Sequence, residues 1–279
     1  EIMKFSNFIN YFLNRISILI IVIVSFFWSI WYYLNEISPA AMPEYTISNW
    51  EKEIIFQAMS HIWTEEFYKK IVSNITKHKK NWWVYFYEWV KPWSKENLEK
   101  FNNAIWIKFD EDLYKNFSKL YWVVNQDNND FIWLINNLDF NVDLNMDQIV
   151  ESYEERISTN TWKLIKNKLP VDANKVILEA LAWLNDKQLK ILVYINQAIL
   201  NFIIWSEWTQ GFLTNNFANK ELFNVILDKR NEVLVEEIIS SEYKKIYITY
   251  WLLHFNWVLK LLKENDSKWK IIETKNLYP

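Results

Sequence analysis

Tight turns and helix ends need a residue that accepts positive φ, and this chain places tryptophan where that residue belongs. Asn49-Trp50, Asn81-Trp82 and Asn256-Trp257 stand where Asn-Gly would make a turn, and KPWSKE, Lys91 to Glu96, has the form of a Pro-Gly turn. Trp82-Trp83 directly precedes the strand-like VYFYE, where two glycines would be ordinary and two indoles are not. The chain holds 18 tryptophans and one glycine, Gly211 in TQGF, in 279 residues; ordinary usage makes glycine about 7% of a protein. We read most of the tryptophans as glycines of the natural protein. The coding sequence then comes from a recoded bacterial genetic code in which UGA means glycine, translated with UGA as tryptophan. The abundance of Lys, Asn and Ile fits an A+T-rich genome, and Trp269 in SKWKI is a candidate true tryptophan. A literal tryptophan-rich membrane or organellar assembly subunit would instead cluster its indoles at membrane level. Here they run from Trp28 to Trp269, many beside turn residues.

Cysteine is absent, which excludes disulfides and thiolate metal sites, and a net charge of -3 gives no basic footprint for nucleic acid. Ile16 to Leu34, ISILIIVIVSFFWSIWYYL, is uncharged, mostly apolar and of the length a bilayer span needs. Lys4 and Arg15 precede it and Glu36 and Glu44 follow. The positive-inside rule therefore puts residues 1–15 in the cytoplasm, a transmembrane signal anchor over 16–35 and the bulk of the chain outside, with the membrane as its partner. A signal peptide cleaved after Ala40-Ala41 is the competing assignment, against which the apolar run is long. Residues 36–48 read as a linker and 49–279 as one domain.

Within that domain EKEIIFQAMSH reads as a strand ending at His61, and TEEFYKKIVSNITKHKK as a helix with Thr64 as N-cap and Phe67, Ile71 and Ile75 at helical spacing. VYFYE, Val84 to Glu88, is a second strand, so the fold class is α/β (α+β). Residues from about 94 to 240 read as mainly helical, with apolar spacing over 145–165, 172–185, 186–204 and 217–239. Strand YKKIYITY, helix NWVLKLLKEN and strand KWKIIET close the chain. Small β-sheets at the outer thirds thus flank a helical middle. The order strand, histidine, helix occurs around both His61 and His254, which suggests two equivalent halves. His78, in TKHKK, reads as a solvated residue at a polar helix end. The acidic, amide-rich run from Asn125 to Gln148 lacks calcium-loop spacing and reads as loops and caps.

A small residue where a strand ends lets the backbone turn tightly and sets an imidazole over the sheet's edge, within reach of a ligand or metal. With Trp251 taken as glycine, YWLLHFNW contains Gly-x-x-His at His254; around His61 the matching position is Ala58. Glu88 ends the second strand, where its carboxylate could join the same edge. Arg230-Asn231, in LDKRNEV, reads by itself as part of a solvated charged helix face.

Taken together MSHIWTEEFY, VYFYEWVKPW, DKRNEVLVEEI and YITYWLLHFNWVLKLL resemble the TraB/TIKI-like (TraB/GumN) superfamily, related to erythromycin esterase-like and ChaN-like proteins. The resemblance spans roughly residues 50 to 275 and rests on the order His, Glu, Arg-Asn, His. It implies an α/β domain with a metal-dependent hydrolytic site associated with peptide cleavage. His61, Glu88 and His254 would be ligands of a divalent metal such as Mn, Co or Zn, with Glu88 as ligand or general base, and Arg230 and Asn231 would position a peptide or protein substrate. Ala58 departs mildly from the pattern, and Trp251 as written breaks the second motif. A non-catalytic binding or scaffold protein on the same fold is the alternative, and predicts that the polar groups around His61 and His254 do not converge.

Overall fold

A computed structural model describes residues 2–89, 94–108, 112–121, 123–126, 131–157, 170–206, 209 and 220–278. Its centre is a pair of parallel strands, β2 (Glu53–Met59) and β7 (Lys245–Trp251), whose register runs from Glu53↔Lys245 to Met59↔Trp251. Both are buried nearly along their whole length, as a parallel strand covered on two faces must be. β4 (Val84–Tyr87) pairs parallel to β7, and β6 (Phe140–Asn141) parallel to β4. On the other flank β1 (Met42–Ser48) is antiparallel to β2 and to β8 (Lys270–Leu277), giving the order β6-β4-β7-β2-β1-β8. Strands from the two outer thirds thus join in one sheet. A two-stranded ladder of β3 (Ile62–Trp63) with β5 (Val124–Asn125) stands apart. The segment expected to be a linker to residue 48 holds β1, because Met42, Glu44 and Ile47 are buried against the sheet.

Helices cover both faces. The helix after β2, α2 (Glu65–Lys80), starts at Thr64, whose side chain accepts from Phe67 N, as the sequence predicts. Its Phe67, Ile71 and Ile75 pack with Ile55, Tyr85 and Tyr247 on one face. Against the opposite face, where Ile54, Phe56, Ile246 and Ile248 point, lie α8 (Lys220–Ser240) through Leu234 and Ile238 and α9 (Phe255–Asn265) through Val258 and Leu262. The two strand, histidine, helix units are therefore neighbours in the sheet with their helices on opposite sides. A third cluster holds α3 (Lys95–Ile105), α5 (Met146–Arg156) and the start of α8 together through Phe101, Tyr153 and Leu222. α4 (Asp112–Tyr121) and α6 (Ala173–Ala182) complete this helical middle, with α7 (Asp186–Trp205) beside them. The amide-rich run does serve as a cap: Asn145 and Gln148 form a reciprocal capping box on α5.

The N-terminal helix α1 (Ile2–Tyr32) continues as a π-helical turn over Tyr33–Ile37, and Arg15–Ile37 is long and apolar enough to cross a membrane. α7 passes the same test of length and composition. The exit of α1 is latched to α7. Asn35 Nδ2 donates to Tyr194 O at 2.8 Å, Asn201 Nδ2 donates to Leu34 O at 3.1 Å, and Ala40 N donates to Asn201 Oδ1 at 3.2 Å.

Positive φ falls on Trp50 (78°), Trp82 (63°) and Trp106 (58°). Two of these are the Asn-Trp pairs expected to be turns; the third pair, Asn256-Trp257, lies inside α9, because a 3-10 turn over Leu252–His254 already delivers the chain into that helix. KPW, residues 91–93, and Gly211 lie outside the described residues. His78 is half-buried rather than freely solvated. It stacks on Tyr247 with ring centroids 4.8 Å apart, and burial lowers its pKa to about 4.

Trp82 closes α2. Trp83 N donates to His78 O at 3.1 Å and Trp82 N donates to Lys79 O at 3.1 Å, the paired bonds of a Schellman motif with residue 82 at the left-handed position. Its indole is 89% exposed and packs little, so Trp82→Gly should stabilise the chain by about 1 kcal/mol in urea unfolding. A loss of stability would show that the exposed ring contributes more than the left-handed backbone costs.

Candidate functional site

Parallel strands set their carboxyl ends along one edge, and four lie there together: β2, β4, β6 and β7. His61 follows β2 by two residues, Glu88 follows β4 directly, Asp143 follows β6 by two, and Tyr250, Trp251 and His254 come from the end of β7. α8 passes this edge and inserts Arg230 and Asn231, which are 4% and 0% exposed. The expectation that these two belong to a solvated face is overturned. They sit on the face of α8 that also buries Leu234 and Ile238.

Arg230 is the hub. Its Nε donates to Asp143 Oδ1 at 2.6 Å and its Nη2 to Asp143 Oδ2 at 2.9 Å, a two-point grip on one carboxylate, while Nη2 also donates to Glu88 Oε1. Glu88 Oε2 accepts from the backbone N of Trp251 at 2.6 Å. The Tyr250 ring lies 5.6 Å from the guanidinium carbon, and the Tyr250 hydroxyl is 3.4 Å from Asp143 Oδ1. Two carboxylates share one guanidinium, and their acidities separate. Burial pushes Asp143 up to about 6, against the pull of Arg230 and reinforced by Glu88. Burial would raise Glu88 as well, but Arg230, His254, His61 and the Trp251 N–H hold it down at about 2.

His254 is fully buried. Its Nδ1 lies 2.7 Å from Asn231 Oδ1, and because an amide oxygen only accepts, Nδ1 carries the proton and Nε2 keeps a bare lone pair. Burial, helped by Arg230, lowers its pKa to about 3, so the ring is neutral. Two buried polar atoms here have no hydrogen-bond partner among the described residues: His254 Nε2, an acceptor, and Asn231 Nδ2, a donor. His61 is partly buried, and desolvation followed by Arg230 lowers its pKa, with Glu88 opposing. The indole of Trp251 stands against both imidazoles, 6.0 Å from the His61 ring and 5.9 Å from the His254 ring. A separate cavity of about 410 Å³, lined by residues including Ala40, Trp205, Leu252 and Phe255, flanks the His254 turn, but His254 does not line it.

Of the residues picked from the sequence, Glu88 and Arg230 share one hydrogen-bonded group with Asp143, Asn231 and His254 form a second beside it on the same strand ends, and His61 stands against the Trp251 ring. Asp143 was missed. Its signal is faint, a lone aspartate in FNVDL two residues past a two-residue strand.

No protein-family model, curated protein or solved structure matches the chain.

The donors give a mixed answer for a divalent ion. His254 Nε2, with its Nδ1 proton fixed by an amide oxygen, has the arrangement of a metal-ligating imidazole. Glu88 does not fit, since one of its oxygens accepts from a guanidinium and the other from a backbone N–H. Among the described residues no three His, Asp or Glu side chains are grouped to hold one ion.

Removing the hub should be costly. Arg230→Met leaves two buried carboxylates without their cation and is expected to lower unfolding stability by about 3–5 kcal/mol; a loss below about 1 kcal/mol would mean that water already reaches them. The histidine sets a pH dependence of definite sign. Since the His254 pKa is about 3 in the fold against 6.5 ordinarily, the unfolded chain binds the extra proton, and this contribution to stability falls as pH drops from 6.5 toward 3. Asp143, raised to about 6, opposes it by favouring the fold as pH falls below that value. Urea titrations at pH 7 and pH 5 should therefore differ between wild type and His254→Asn, the wild type losing about 2 kcal/mol more on acidification. Equal losses would place a charged or solvated imidazole at 254.

Proposed function

We propose that this chain is a membrane-anchored hydrolase of the TraB/TIKI-like type, acting outside the cytoplasm on peptide or related acyl bonds at the sheet edge formed by β2, β4, β6 and β7. The observation that carries this is the pairing of an unpartnered buried acceptor, His254 Nε2, with an unpartnered buried donor, Asn231 Nδ2, in the residue pair that the sequence motif picks out. Such atoms are costly to bury unless something other than the resting protein satisfies them.

In this mechanism His254 Nε2 takes a proton from a water attacking the scissile carbonyl, and Asn231 Nδ2 donates to the oxygen on which negative charge develops; as the carbonyl re-forms the scissile C–N or C–O bond breaks, and the imidazolium returns its proton to the departing amine or alkoxide. Asn231 Oδ1 holds the imidazole in the required tautomer. Arg230, neutralised by Glu88 and Asp143, positions Asn231 through α8 and touches no substrate. His61 stands against the Trp251 ring that also faces His254. A divalent ion, if bound, would supply Lewis acidity at His254, but Glu88 would first have to give up Arg230; no step here depends on it. Lys4 and Arg15 before the span, with Glu36 and Glu44 after it, support outward placement.

The test is hydrolysis of a panel of fluorogenic peptides and acyl esters by the full chain in nanodiscs. The chain with the glycine that the sequence reading assigns to 251, Trp251→Gly, should turn over at least one class, and His254→Ala or Asn231→Ala added to it should each lower kcat/KM by about 100-fold or more. Added Mn, Co or Zn that raises the rate, with loss of the effect in Glu88→Gln, would show that Glu88 exchanges Arg230 for an ion. Turnover unchanged by His254→Ala overturns the assignment, and no turnover of any class leaves a binding protein on this fold.

A further inference from the structure

Left-handed backbone is the strongest local demand for glycine that a fold can make, because a Cβ there meets the neighbouring carbonyl. Among the described residues this chain makes that demand at 50, 82 and 106, and tryptophan meets it each time, although tryptophan is only 18 of 279 residues. Asparagine, the usual substitute, is plentiful in this chain and occupies none of the three. The positions are also unlike one another. Residue 50 lies in the loop joining β1 to β2, where Asn49 Oδ1 accepts from Glu51 N and Lys52 N; residue 82 is the left-handed member of the Schellman motif; residue 106 terminates α3. A hairpin loop and two helix ends share only the need for positive φ. No property of an indole suits all three: the ring at 82 is 89% exposed, and the ring at 50 is 76% exposed with the Lys270 ammonium over it, 4.1 Å from the centroid, a surface contact of small worth.

A fourth position is singled out by space. At Trp251 the backbone is ordinary, φ −57° and ψ 139°, and its N–H already serves Glu88, which any residue but proline could do. What is particular is the side chain, which stands against both imidazoles while His254 Nε2 is buried without a partner among the described residues. Trp63 repeats the theme: it is 2% exposed and its indole N–H is buried without an acceptor among the described residues. Trp269 is the contrast, a ring 3% exposed in the same cluster as Ile47 and Leu262, and it behaves as a native core tryptophan.

We propose that the natural protein carries glycine at 50, 82, 106 and 251, its gene reading UGA as glycine, and that glycine at 251 opens a pocket beside His61 and His254 through which substrate reaches Nε2. The use of that pocket by a substrate rests on the hydrolytic function proposed above; its existence does not. An opened pocket also admits water. The burial that depresses the His254 pKa then eases, and the imidazole moves toward the range in which it serves as a base at neutral pH.

Two measurements test this. Peptide sequencing by mass spectrometry of the protein from its natural source should read glycine at all four positions and tryptophan at 269. Tryptophan at 50, 82 or 106 overturns the recoding, and tryptophan at 251 overturns the pocket. In recombinant full-length protein, diethyl pyrocarbonate should modify His254 at least about tenfold faster in Trp251→Gly than in the chain as written, since modification no longer waits for local opening. Trp251→Phe, which keeps a ring there, should react as slowly as the parent. Equal rates in the glycine and phenylalanine variants overturn the pocket even if glycine is read at 251. Fast modification in a Trp251→Gly protein that hydrolyses nothing overturns the proposed function and leaves the pocket standing.

Discussion

A guanidinium held between two carboxylates at the end of a sheet is the constraint on which the rest of this architecture turns. Arg230 reaches the edge from α8, Glu88 from β4 and Asp143 from β6, so three elements distant in sequence are fixed by one side chain with nearly all its contacts away from water. Taking those charges out of solvent is unfavourable unless every donor and acceptor finds its mate, and the two-point grip on Asp143 with the Trp251 N–H on Glu88 achieves most of that. Because α8 is seated by Arg230, the next residue along, Asn231, is delivered to His254 with its amide oxygen turned toward Nδ1. The tautomer of the histidine is thus decided by an ion pair that the ring itself does not touch.

The strands and helices were legible because their patterns are strong: β2 and β7 are nearly unbroken apolar runs, Thr64 announces α2, and the spacing of Val258, Leu259 and Leu262 announces α9. What escaped is instructive. β1 hid in a supposed linker because Pro43 and Glu44 interrupt its apolar residues, yet both are accommodated where β1 pairs with β8, an edge strand rich in charge. Arg230 and Asn231 looked solvated because a polar pair on a helix normally faces water. Here α8 turns that pair inward alongside Leu234 and Ile238, and only the partners across the sheet, Glu88 and Asp143, make sense of it. Asp143 could not be picked out, since β6 is two residues long and leaves no periodicity to read.

Turn chemistry was the other legible layer, read from residue types that fit badly. Asn49-Trp50 and Asn81-Trp82 announced turns through the asparagine alone, and the backbone took left-handed conformations there with an indole attached. Asn256-Trp257 gave the same cue and yet became helix, because the 3-10 turn ahead of it had already reversed the chain and nothing remained for a second turn to do. A dipeptide proposes a bend, and the space left by neighbouring elements decides whether it is used.

The latch between the exit of α1 and α7 has a consequence for how the domain stands. Asn201 alone bonds Leu34 O, Asn35 Oδ1 and Ala40 N, and Trp28 stacks on Tyr194 with ring centroids 5.5 Å apart. A domain on a loose tether sweeps a hemisphere and meets whatever diffuses past. One clamped to the end of a membrane-spanning helix rides at a fixed height above the bilayer. With α1 in a bilayer, the sheet edge carrying His254 would travel as a blade at constant depth, and its encounters would be governed by lateral drift in the membrane plane.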